Sequence, residues 1–137
     1  MIQVMNEQRR ITLLSDLSNL IILERFISAC SFLDERDMNR STILATECFD
    51  NIVMHSVRGL CSTVSITVRK IKERITIRLK YSTKNFGKML NALDTTNPHY
   101  DANSLRYRGL GLRMCRNLAS DIRYKKGLFK SSIIIIL

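Results

Sequence analysis

The stretch that most constrains this chain is residues 63–81. Val64, Ile66 and Val68 alternate with Thr63, Ser65 and Thr67. After a turn near Lys70–Glu73, Ile75, Ile77, Leu79 and Tyr81 alternate with Thr76, Arg78 and Lys80. A period of two places every apolar side chain of a strand on one face, so both runs read as half-buried strands of an antiparallel hairpin. A hairpin is not stable alone and needs a layer to cover its apolar face. With 137 residues, 45% of them hydrophobic, the chain suffices for one domain spanning 1–137 with a real core.

The covering layer is legible in the helical patterns. Leu17–Phe32 reads as a helix, with Leu20, Leu23, Ile27 and Cys30 at spacings of three and four, and Ser15 or Asp16 can cap it. A longer helix is expected from about Asp37 to Val57, with Ala45, Cys48, Phe49, Ile52 and Val53 as its core arc. A third is expected over Leu110–Ala119, and a short one over Phe86–Leu93. Arg10–Leu14, Ile122–Tyr124 and Phe129–Leu137 supply further strands, with a turn at Lys125–Gly127. The order is strand, helix, helix, strand, strand, polar loop, helix, strand, strand. It predicts an α+β two-layer sandwich, a mixed, mostly antiparallel sheet covered by about three helices, rather than a doubly wound sheet.

Two places carry the chemistry. On the long helix, Glu47, Asn51 and His55 recur every four residues and align on one flank, with Asp50 and Met54 beside them. An acid, an amide and an imidazole in a row can orient water and hold a hard cation, although a solvated flank is the plainer explanation. The second place is Gly109-Leu-Gly111, which follows the polar loop Asp94–Arg108 and opens a helix. Bare backbone N–H groups at a helix N-terminus suit a phosphate. A loop of that length within a compact domain is often a lid.

Composition narrows the class. The net charge is +10, from 22 Lys+Arg against 12 Asp+Glu, which implies attraction to something acidic. Aromatic residues are 7% with no Trp, a poor stacking platform for single-stranded nucleic acid. No nucleic-acid motif is present, and charge alone favours that reading. No apolar stretch approaches a membrane span, so a protein partner rather than a membrane is expected. Cys30, Cys48, Cys61 and Cys115 show no metal-ligand spacing and read as buried free thiols. Together with an N-terminus unlike a signal peptide, they give a cytoplasmic expectation.

These motifs, in this order, resemble the gyrase, chaperone and histidine-kinase ATP-binding superfamily (the Bergerat fold). Within it the chain looks most like the small anti-sigma factors that are also serine kinases. The family's helix motif, Glu-x-x-x-Asn with a His four residues later, matches Glu47, Asn51 and His55. Its lid-closing glycine motif matches Arg108-Gly109-Leu110-Gly111-Leu112. The resemblance covers the chain from its first strand to Leu137. It implies ATP and Mg²⁺ as cofactors, Asn51 as the metal ligand, Glu47 as general base toward water or a partner serine, and the Gly109–Gly111 backbone on phosphate oxygens. It implies Ser131 or Ser132 near the adenine, a regulatory role in transcription through a protein partner, and a homodimer.

One motif departs. After the second hairpin strand the family has Asp-x-Gly-x-Gly, whose Asp accepts from the adenine amino group. Here Tyr81, Thr83 and Asn85 stand at those places. Tyr81 continues the inward parity of Ile77 and Leu79, so its ring is expected to face the base pocket. A phenol is bulkier than a carboxylate and carries no charge, and an unmet donor on the base is costly. Two main readings follow: an ATP-using regulatory protein of the serine-kinase kind, or a protein-interaction module of the same fold that has lost ATP.

Overall fold

The computed structural model describes residues 6–54, 62–85, 99–101, 106–108 and 117–137. Five strands form one antiparallel sheet: β1 (Asn6–Leu14), β2 (Thr63–Ile71), β3 (Arg74–Ser82), β6 (Asp121–Lys125) and β7 (Lys130–Ile136), in the order β1-β2-β3-β7-β6. Two helices, α1 (Leu20–Ser28) and α2 (Glu35–Met54), pack together on one face. Every pairing in this sheet is antiparallel, so the expected mixture is in fact uniform. The two-layer α+β sandwich is as expected.

The β2–β3 hairpin sits as its alternation requires. Val64, Ile66, Val68, Ile77 and Leu79 are completely buried, while Arg78 and Lys80 between them are exposed. The strands close through Lys72–Glu73, where Lys72 takes φ 55°, the left-handed conformation that short hairpin loops need to match strand twist. Ile133 and Ile135 of β7 continue the inner face beside Leu79 and Ile77. From the helices, Leu23, Phe26 and Ile27 meet Leu44, Ala45, Cys48, Phe49 and Ile52 over that face. Each large side chain so buried contributes about 1.5–3 kcal/mol relative to exposure.

Helix boundaries differ from the expectation because of local polar groups. The first helix opens as a 3-10 turn at Leu17–Asn19, with Asp16 accepting from the Ser18 amide at 2.9 Å. It ends at Ser28, not Phe32, and the amides of Cys30 and Leu33 close tight turns that fold both residues into the core. The second helix begins earlier, at Glu35, because Asp34 caps it by accepting from the Asp37 amide at 2.7 Å.

Three cations satisfy carbonyls at helix ends or in the turn that follows one. Arg9 donates to the Ala29 carbonyl (2.8 Å) with its guanidinium 5.6 Å from the centre of the Phe26 ring. Lys70 donates to Phe32 (3.2 Å), and Arg40 to Leu118 (2.6 Å). Part of the basic excess is therefore structural.

Within the stretch expected as an irregular loop, β4 (His99–Asp101) and β5 (Arg106–Arg108) pair as a separate two-stranded sheet. Of the expected third helix, the described part is its last turn, residues 117 and 118. The short helix expected over Phe86–Leu93 lies outside the described residues.

Candidate functional site

Helix α2 builds one side of the site. Its core arc is set by Leu44, Ala45, Cys48, Phe49 and Ile52, all buried against the sheet. That arc fixes the rotation of the helix, so Glu47 and Asn51, four residues apart, share one flank and are each half-buried. Met54 beside them is exposed. Asp50 is only 4% exposed, and the sequence pattern gave no sign of this, because its position points away from the apolar arc. A buried carboxylate thus sits next to an acid and an amide on the same helix. His55 lies outside the described residues, as do Gly109, Leu110, Gly111 and Leu112. Arg108 ends β5, where it pairs with His99. No cluster of three or more His, Cys, Asp or Glu residues suited to a metal occurs among the described residues.

Strands β3 and β7 build the other side. Tyr81 stands directly opposite Ser131 in the antiparallel register, so both project toward the helices. The resemblance implies that both residues lie near the adenine, and the register places them side by side. Parity also chooses between the two serines. Ser132 belongs to the opposite face, between Lys80 and Lys125, so of the pair only Ser131 is at the site.

The contents of this end differ from a base pocket. Tyr81 is 1% exposed and Ser131 fully buried. Burial pushes the Tyr81 phenol well above its usual range, with a smaller push from the neighbouring Cys48 thiol, so it is a neutral group. Its hydroxyl has no hydrogen-bond partner among the described residues. Thr83 donates its one hydroxyl proton to the Gly127 carbonyl at 2.9 Å. The 3.0 Å contact between Thr83 Oγ1 and Ser131 Oγ must then have Ser131 as donor. The Ser131 proton is thus committed within the protein. The Thr83 amide donates to the Phe129 carbonyl at 3.0 Å, completing a clamp between the end of β3 and the β6–β7 turn. Sequence reasoning missed this clamp. Its available signals were a threonine just after β3 and a serine pair at the start of the last strand, and only the β3–β7 register brings them together.

Two different fits result. The α2 flank has donor chemistry that fits a hard cation: Asn51 would be the residue to hold it and Glu47 the one to accept a proton. The β3–β7 end does not suit adenine in the way the resemblance implies. It holds no carboxylate, its hydroxyl is committed, and a phenol ring occupies the interior.

No helix among the described residues is long and apolar enough to cross a membrane. No curated protein sequence matches the chain. A family model for the histidine kinase-like ATPase domain matches residues 15–135, from the turn after β1 to the last inward isoleucine of β7. That span includes both sides of the site just described. With the Glu47–Asn51 flank and the Tyr81–Ser131 pair inside a match that covers all but the first strand and the last residues, the chain belongs to the histidine kinase-like ATPase domain family.

Proposed function

We propose that this chain is an ATP-binding regulatory domain that acts on a protein partner in the manner of anti-sigma factor serine kinases. The observation that carries the reading is the pairing of Glu47 and Asn51 on one half-buried flank of α2, within a chain of this ATPase family. In this reading Asn51 ligates Mg²⁺, Glu47 takes the proton from a partner serine, and Gly109–Gly111 contributes backbone donors. In-line phosphoryl transfer asks little of a protein beyond positioning and charge neutralisation. The base is held without the family's carboxylate, so discrimination for adenine is weak. Homodimerisation and a cytoplasmic setting accompany the proposal.

A second reading has a specific observation behind it. The buried Tyr81 and the committed Ser131 favour a protein-interaction module that works without nucleotide. Thermal melting with and without Mg-ATP separates the two. Stabilisation that Asn51→Ala removes supports the first, and an unchanged melting temperature at millimolar nucleotide supports the second.

A further inference from the structure

The turn between β6 and β7 is unlike the rest of the surface. Leu128 is 85% exposed and Phe129 is 79% exposed, the most exposed large hydrophobic side chains among the described residues. They are consecutive and stand at the tip of a hairpin. Gly127 lets the chain turn there, since a Cβ on it would strike the Lys130 carbonyl. The Thr83 clamp to Gly127 and Phe129 holds the tip against the end of β3. The apolar pair is thus presented by a braced turn.

Lysines surround it. Lys125, Lys126 and Lys130 flank the tip in sequence and are exposed. The register adds Lys80, two strands from Lys125 across Ser132, on the face that Lys130 shares. Lys84, exposed, follows β3 beside the clamp. No acidic residue lies within 125–130 or 80–84. Ser132, between Lys80 and Lys125 in the register, is only 5% exposed.

We infer that the β6–β7 tip docks this domain reversibly on an anionic lipid surface, with Leu128 and Phe129 entering the headgroup boundary and the lysines binding lipid phosphates. This departs from the protein-only partner that the sequence suggests, and it is independent of nucleotide binding. Geometry favours a bilayer over the alternatives. A stable protein interface needs about 800 Å² on each partner around an anchored core, and a protruding turn with two apolar side chains offers no such surface. A nucleic-acid backbone would use the lysines but leave Leu128 and Phe129 without purpose. A bilayer surface accepts a protruding apolar point ringed by cations, and weak apolar insertion combined with basic charge is the pairing that gives reversible attachment.

The test is co-sedimentation of the full chain with vesicles of three parts phosphatidylcholine to two parts phosphatidylglycerol, beside phosphatidylcholine alone and a random-sequence duplex. Binding is expected on the anionic vesicles only, weakening with salt. Replacing Leu128 and Phe129 together by serine should lower it at least about tenfold with the melting temperature unchanged. Each of Lys125→Gln, Lys126→Gln and Lys130→Gln should lower it about five-fold. Because the chain has no Trp, Phe129→Trp supplies a single reporter, and its emission should shift to the blue on binding. Failure to bind anionic vesicles at low salt, binding unaffected by the serine pair, an unshifted Trp in the bound state, or tighter binding to the duplex would each overturn the inference.

Discussion

At one end of the site Glu47 and Asn51 stand half-buried on a helix whose rotation is locked by five core side chains. At the other, Tyr81 and Ser131 are sealed between sheet and helices, their polar atoms either committed or without a partner. The first end keeps an acid and an amide on a half-buried flank. The second spends positions suited to a ligand on packing. A phenol hydroxyl without a partner is a cost the core bears, offset by the burial of a large ring. Under the proposed function, phosphate chemistry would ride on α2 and base recognition on the β3–β7 ladder, so the two would be separable because they are built on different elements.

The largest expected effect is at the polar end. Glu47→Ala should lower phosphoryl transfer to a serine substrate by about 10²–10⁴-fold while leaving nucleotide binding in place, measured with labelled ATP alongside titration. Equal loss of binding would mean that Glu47 holds the ligand rather than the proton. Next is Tyr81→Asp, which puts the family's carboxylate back. It should cost about 3–5 kcal/mol of stability, as a ring is lost and a charge is buried, while tightening Mg-ATP binding at least about tenfold. Chemical denaturation and calorimetry on the same sample read both. A fall in stability with no gain in affinity would show that Tyr81 is not what limits base binding.

A smaller effect is expected from Tyr81→Phe. Removing an unpartnered hydroxyl should change stability by less than about 1 kcal/mol. The same variant tests the electrostatics. The phenol is raised in the folded protein above its usual value of 10.0, so the folded state holds the proton more tightly than the unfolded one. Its contribution is fully present below about pH 10 and is lost as pH rises beyond it. Tyr81→Phe should flatten that alkaline decline. The smallest effect is Ser131→Ala, which removes one donor to Thr83 and should cost about 1 kcal/mol, with hydrogen exchange quickening at the end of β3.

Most of the fold was legible because its signals are local. The alternation over Val64–Tyr81 gave the hairpin and its inward face, and β1 and β7 differ from expectation mainly at their ends. The α1 end at Ser28 was not legible, because backbone turns after Ala29 override an apolar spacing that continues through Cys30. The pairing of β4 with β5 was hidden too, since three-residue strands carry no periodicity. At the site, helical spacing aligned Glu47 with Asn51, and parity turned Tyr81 inward. Spacing could not choose between Ser131 and Ser132, which required the β3–β7 register. Nor could it show that Thr83 and Gly127 take up the serine's proton, since that depends on residues 44 positions apart.

The central claim is that nucleotide binds through the α2 flank with little reading of the base. Calorimetric titration of the full chain with Mg-ATP and Mg-GTP tests it most directly. The account predicts saturable binding of both, within about tenfold of each other, and its loss in Asn51→Ala. Absence of heat for either nucleotide at millimolar concentration, in wild type and in Tyr81→Asp alike, would contradict it.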